Sequence, residues 1–392
     1  MTLSNGIYFG IPFEEYEKIE RLSKTRIKQL LVSPADFWAD SWLNPKPLKL
    51  TPEQERRKHM ARVLGNAYHC ARLEPGEFHD RYCRELTQAD FVNAPGFITT
   101  GAAMGAELEK LGEKKSGSVA EQAERLLAAG YEGTIWQIEL AKYEAQRGDR
   151  IALTAETFDQ IVIDMERMQA VAEVHETLSN GEPEASILYD CPETGLPMKA
   201  RLDWLRGDGW AEFKSFANPQ SKALEKCLLD AIIFNRYYID VACYHEAVEA
   251  VRLGGLTVQG EPPIGYAREI VEQIKASPSP LSHKIIFQQK GGVPNVLSRD
   301  LQLFEDHGGV ARHLEEIGAT EDRIEKAKAF AEASTPQPTQ LMRKAIADIR
   351  NAKRLFVGYS EIYERGQPWQ PFEPHASYSD IDFHPNFLES RA

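Results

Sequence analysis

Residues 199–216 read KARLDWLRGDGWAEFKSF, and the fold turns on this stretch. Strict alternation puts Lys199, Arg201 and Asp203 on one face of a first strand and Ala200, Leu202 and Trp204 on the other. In a second strand Glu212 and Lys214 share a face, with Ala211 and Phe213 opposite. Arg206-Gly207-Asp208-Gly209 closes the pair as a hairpin. A Gly207-Asp208 loop sets Asp203 across from Glu212, and an Asp208-Gly209 loop sets it across from Lys214. Either loop keeps all three side chains on one face, whereas a three-residue loop sends Asp203 to the other.

Two carboxylates and an ammonium beside strands this apolar are destabilising unless the charges are compensated. Two compensations fit the pattern. One is a cross-strand salt-bridge ladder on a solvated face. The other is a divalent cation: hard oxygen ligands suit Mg²⁺ or Mn²⁺, which keep several waters and accept phosphate oxygens as further ligands. A lysine two places beyond the second carboxylate then holds, or helps deprotonate, a water attacking a phosphodiester.

Outward from the hairpin, strand signals recur at 185–190 (ASILYD) and 283–289 (HKIIFQQ), with a long helical pattern at 219–250 between, a βββαβ run that specifies an α/β class. Ser23 precedes a short capped helix that Ser33-Pro34 interrupts, and Thr51-Pro52 opens a helix reaching Leu73. Further helices are predicted at 118–129, 136–147, 155–179, 320–333 and 337–357. Residues 92–118, rich in glycine and small side chains, read as a mobile loop or insertion. Residues 260–282 read as a loop around one short helix, and the chain closes in a tail rich in proline and aromatics.

Composition narrows the class. The 392 residues carry 46 basic and 59 acidic side chains, a net charge of −13, with 42% hydrophobic residues, an ordinary globular mix that excludes a uniformly basic DNA-coating protein. Basic islands stand out at 21–28, at 56–62 (Arg56, Arg57, Lys58, Arg62) and at 341–354. In the last, Arg343, Arg350 and Arg354 share one helical stripe. Glu14, Glu15 and Glu17 stand where a secretory leader would need apolar residues, and no run is long enough to span a membrane, so a cytoplasmic chain with no membrane partner is expected. Five cysteines without a CxxC pair argue for buried reduced thiols.

Asp203 followed by Glu212-Phe213-Lys214 resembles the signature of the PD-(D/E)XK nuclease superfamily, and the surrounding chain resembles its RecE-like branch, the nuclease domain of exodeoxyribonuclease VIII. Supporting features are Leu22-Ser23-Lys24, Gly65 with His69 and Leu73-Glu74-Pro75, Glu184, Tyr237 with Asp240 and Tyr244, and Gly366-Gln367-Pro368-Trp369 near the end. The likeness spans about residues 20–375.

The resemblance implies a restriction-endonuclease-like core, a central mixed β-sheet flanked by helices with helical elaborations. It spans residues 1–300 with an insertion around 92–150, and a helical extension with the tail follows at 301–392. It implies Asp203 and Glu212 as metal ligands for one or two Mg²⁺ or Mn²⁺ ions, the Phe213 carbonyl and His69 as further ligands, and Glu184 as a carboxylate beside the site or on a second ion. Lys214 becomes the catalytic lysine, with Asp240 and Tyr244 supporting it. Ser23, Lys24 and Arg26, with Arg343, Arg350 and Arg354, are the candidate DNA contacts. The implied activity is exonucleolytic hydrolysis of linear double-stranded DNA from its ends, 5′→3′, leaving 3′ single strands for recombination in a phage or prophage module. A single-strand annealing protein as partner and a homo-oligomeric ring belong to the same implication. A repair or defence endonuclease, and a degenerate non-catalytic DNA binder, are the alternatives. Two positions depart from the family pattern: Asp240 replaces its usual glutamine, and Gln289 stands where glutamate is common.

Overall fold

The computed structural model describes residues 3–47, 49–218, 220–260, 266–277, 281–290, 293, 295–306 and 308–370. The chain divides into two compact units, residues 1–51 with 171–392, and residues 52–170. The segment 92–150 falls within the second unit, and the helices after residue 300 belong to the first.

The first unit opens with β1 (Gly6–Tyr8), α1 (Phe13–Glu17), α2 (Lys24–Val32) and α3 (Pro34–Ala39). The second unit holds α4 (Pro52–Leu73), α5 (Pro75–Arg81), β2 (Tyr82–Arg84), α6 (Gly101–Lys110), α7 (Val119–Ala128), α8 (Trp136–Arg147), β3 (Ile151–Leu153) and α9 (Ala155–Gln169). The first unit then resumes with α10 (Ala172–Ser179), β4 (Glu182–Asp190), β5 (Pro197–Arg206), β6 (Gly209–Phe216), α11 (Leu224–Phe234), α12 (Tyr237–Gly254) and α13 (Ala267–Ala276). It ends with β7 (Ser282–Gln289), β8 (Val296–Arg299), α14 (Gly309–Glu316), α15 (Glu321–Ala333) and α16 (Gln340–Ile362).

The architecture is α/β, a mixed central sheet flanked by helices. Its six strands run in the order β1-β4-β5-β6-β7-β8. All neighbours are antiparallel except β6 and β7, whose parallel pairing follows from the long helical crossover between them. The hairpin closes on Gly207-Asp208: Arg206 pairs with Gly209, Leu205 with Trp210 and Trp204 with Ala211. Of the two registers the sequence left open, this is the one that sets Asp203 across from Glu212. Gly209 has to be glycine, because a Cβ there would fall 1.8 Å from the Ser282 carbonyl oxygen on the parallel neighbour.

Helix α12 is buried along most of its length, inserting Ile239, Val241, Tyr244, Ala247 and Val248 into a core shared with Ile187, Leu202, Leu205 and Trp210 of the sheet. Helix α2 packs against α16, with Ile27 and Leu30 fully buried. Trp369, beyond α16, is buried against Phe37, Phe356 and Tyr359. The tail from residue 371 onward lies outside the described residues.

Three helical expectations are corrected. The pattern at 219–250 is two helices, broken at Asn235-Arg236, where Arg236 takes a left-handed φ of 52°. The pattern at 155–179 breaks at Ala170-Val171 into α9 and α10. The glycine-rich 92–118 segment contains α6, N-capped by the Thr100 hydroxyl and anchored by buried Met104 and Leu108, so its small residues serve packing. In the second unit α4, α5 and α9 close over Ala67, Phe78, Leu153 and Ile161. All five cysteines are free and buried. Among the described residues no helix is long and apolar enough to cross a membrane.

Candidate active site

The β5–β6 ladder stops at Trp204 and Ala211. One residue further, the Asp203 carboxylate takes over: its Oδ2 accepts the Phe213 backbone N–H at 2.7 Å. A side chain substitutes for a ladder bond where the strands part, which fixes Asp203 beside Glu212. On the other side of β5 the ladder passes from Pro183–Trp204 to Ala185–Leu202 and skips Glu184 and Asp203. Glu184, Asp203 and Glu212 therefore occupy one register row across three adjacent strands.

The charged face of β5 serves two purposes. Lys199 is buried, and its ammonium donates to the carbonyls of Tyr16, Glu17 and Ile19 at 2.9, 3.2 and 2.8 Å, closing the C-terminal end of α1. Arg201 donates to the Ile11 carbonyl and pairs with Glu184, each at 2.6 Å. Glu184 holds a left-handed φ of 52°, a strained backbone for a residue with a side chain and of the kind that gathers at functional sites. Asp203 is the member of this face that joins Glu212.

Glu212 is 1% exposed. Its Oε1 accepts from both Lys214 and Lys24, and its Oε2 is buried with no hydrogen-bond partner among the described residues. The Lys214 ammonium also reaches Asp240 Oδ2 at 3.0 Å and lies 4.6 Å above the centre of the Tyr237 ring. Asp240, equally buried, gathers Lys28 at 2.6 Å on Oδ1 and Lys24 at 3.7 Å on Oδ2. Lys24 sits 4.3 Å over the Tyr244 ring, whose hydroxyl donates to the Arg201 carbonyl at 2.6 Å. The supporting pair Asp240 and Tyr244 stand one helical turn apart on α12 and so face the sheet together.

These charges hold one another. Burial opposes the Lys24 charge, yet Glu212, Asp240 and Asp203 outweigh it and raise the pKa above the usual lysine value. Lys214 behaves likewise, burial being outweighed by the attraction of Glu212 and then Asp240, so its pKa lies above the usual lysine value. Burial pushes the Asp240 carboxyl up, but Lys24, Lys214 and Lys28 hold it below the ordinary range.

The Ser23 hydroxyl caps α2 by accepting the Arg26 N–H, while Arg26 pairs with Asp40 at 3.0 Å. Arg350 pairs with Glu193 at 2.9 Å, Arg343 donates to the Pro338 carbonyl, and Arg354 is exposed. His69 belongs to α4 of the second unit. Gln289 is buried on β7 beside the amide of Asn295. Sequence reasoning missed Lys28 as a member of the cluster, and it missed that Lys24, one of the candidate DNA contacts, pairs with Glu212. The signal was their i,i+4 spacing on a helix whose other face is core.

Among the described residues no three His, Cys, Asp or Glu side chains close into a metal-ligand set. Two facing carboxylates, one with an orphaned buried oxygen, nevertheless fit a cation that takes one or two protein carboxylates and completes its shell with water and phosphate.

No family model matches this chain, and no curated protein matches it. Among solved structures it is similar to a crystal structure from Eubacterium rectale named "Putative exonuclease". That likeness covers 78% of this chain and 88% of the other at 12% identity, with a TM-score of 0.27.

Proposed function

We propose that this chain is a metal-dependent nuclease of the RecE-like kind, an exonuclease that hydrolyses linear double-stranded DNA from its ends. The observation that carries the reading is the meeting of Asp203 and Glu212 where the β5–β6 ladder stops, with Lys214 on the same face and one Glu212 oxygen buried without a partner. Asp203 and Glu212 would hold Mg²⁺ or Mn²⁺, with the Phe213 carbonyl as a further ligand. A cation bound there supplies Lewis-acid stabilisation of the charge that develops on the phosphate.

The remaining work falls to side chains. Paired with Glu212 and Asp240, Lys214 orients the attacking water or helps deprotonate it, and offsets negative charge at the reacting phosphate. Asp240 fixes Lys214 in place, a task that a neutral glutamine would perform through a weaker contact. Attack in the 5′→3′ direction, a ring assembly and hand-over of 3′ strands to an annealing protein form part of the same reading through the family resemblance.

One observation favours a second reading, a non-catalytic DNA binder: Glu212 and Asp240 already carry three lysines between them. Incubation of purified protein with Mg²⁺ and linear duplex decides. Nucleotide release that is lost in Lys214→Ala and Asp203→Ala, both folded, is the expected result. Duplex binding without turnover in either Mg²⁺ or Mn²⁺ favours the second reading, and unchanged turnover in both variants refutes the site. Covalently closed circular duplex should remain intact, and its cleavage would make the enzyme an endonuclease.

A further inference from the structure

Among the described residues three ammonium groups, Lys24, Lys28 and Lys214, face three carboxylates, Asp203, Glu212 and Asp240, and the adjoining Arg201–Glu184 pair adds no net charge, so the cluster is neutral as it stands. A divalent cation on Asp203 and Glu212 raises the local charge to about +2 by the same count, an unfavourable excess in a site where Glu212 and Asp240 are each only 1% exposed. One ammonium must give way, or phosphate must arrive. The three lysines are not equally placed to leave. Lys214 is fixed between two buried carboxylates and is 12% exposed. Lys28, 25% exposed, has Asp240 at 2.6 Å and the Asn235 carbonyl at 3.2 Å and makes no contact with Glu212 among the described residues, so a metal on Glu212 does not compete with it directly. Lys24 shares its Glu212 oxygen with Lys214, stands 3.7 Å from Asp240, and is 23% exposed at the first residue of α2.

Resting on the nuclease reading above, we propose that Lys24 is a displaceable counter-ion: its ammonium competes with the metal for Glu212, and on metal binding it swings out to a backbone phosphate of the DNA. Metal uptake and DNA uptake are thereby coupled through one positioning residue. The metal releases Lys24 for phosphate, and phosphate holds Lys24 away from Glu212. Linkage requires the coupling to act in both directions. The Tyr244 ring lies beneath the Lys24 ammonium and gives it a resting place that needs no carboxylate. Asp240, in place of the neutral amide of the resembled family, is what allows three lysines to gather here without leaving the cluster cationic.

The test is a calorimetric titration of Mn²⁺ alone into the full chain, as wild type, Lys24→Met, Lys24→Gln, Lys24→Arg and Asp203→Asn, with near-ultraviolet circular dichroism to show that each is folded. Lys24→Met and Lys24→Gln should bind Mn²⁺ at least tenfold more tightly than wild type, Lys24→Arg should match wild type, and Asp203→Asn should lose the site. Fluorescence anisotropy with a blunt linear duplex gives the second readout: Ca²⁺ should raise duplex affinity in wild type by at least tenfold more than in Lys24→Met. Equal or weaker Mn²⁺ binding by both neutral Lys24 variants, with Asp203→Asn still deficient, overturns the counter-ion role and leaves the nuclease reading standing. Mn²⁺ binding that is absent from wild type, or indifferent to Asp203→Asn, overturns both.

Discussion

Asp240→Asn is the most informative single perturbation of the site. The carboxylate is 1% exposed and meets Lys28 at 2.6 Å, Lys214 at 3.0 Å and Lys24 at 3.7 Å. The amide keeps the volume and one acceptor oxygen but removes the charge, leaving three ammonium groups against Asp203 and Glu212. Removing one partner of a fully buried pair costs about 3–5 kcal/mol. Here the lysines retain 12–25% exposure and can turn toward water, so the expected loss is smaller, about 2–3 kcal/mol. Urea unfolding followed by tryptophan fluorescence measures it, because Trp210 is fully buried in the same sheet. Turnover should fall as well, since Lys214 loses one of the two acids that position it. A variant as stable as wild type, to within about 0.5 kcal/mol, would refute the view that Asp240 is the counter-charge of the lysine cluster.

Two further outcomes concern the surrounding fold. His283 is buried, stacks on Trp210 at 5.3 Å, and through Nε2 accepts the Leu301 N–H at 3.0 Å; burial pushes its pKa down to about 4. Its folded pKa lies below the unfolded value, so its contribution is full above pH 6.5 and is lost as pH falls toward 4, about 3 kcal/mol by pH 4. Unfolding curves for wild type and His283→Gln at several pH values should differ in slope across that window, and parallel pH dependence would contradict the assignment. Arg236, with φ of 52° at the junction of α11 and α12, occupies a position that glycine adopts without strain, so Arg236→Gly should stabilise the first unit by up to about 1 kcal/mol. A destabilised variant would show that the Arg236 side chain matters more than its backbone.

Much of the sheet was legible because alternation is a local signal. The three strands from 185 to 216 and the one at 283–289 lie within a residue or three of their predicted bounds, and the hairpin adopted one of the two registers that the turn residues allowed. The short strands β1 and β8 were missed: three and four residues carry too little pattern, and pairing with longer neighbours defines them. The break at Arg236 was invisible because α11 and α12 are both apolar across the junction, and a left-handed arginine has no sequence signature. In the site, Asp203, Glu212 and Lys214 were legible from spacing. The roles of Lys199 and Arg201 were not, since both share the Asp203 face in sequence and only the tertiary fold turns them to the end of α1 and to Glu184. Lys24 and Lys28 read only as members of a basic island for the same reason: what draws them inward is the pair of acids on β6 and α12, nearly 190 and more than 210 residues away.

The central claim is that Asp203 and Glu212 form a cation site, and diffraction from crystals soaked in Mn²⁺ tests it most directly. The expected result is an anomalous peak in contact with both carboxylates, with Lys214 retained on Asp240 and Lys24 withdrawn from Glu212. A map with no peak there, and with Lys24 and Lys214 still sharing the Glu212 oxygen at saturating Mn²⁺, would contradict it.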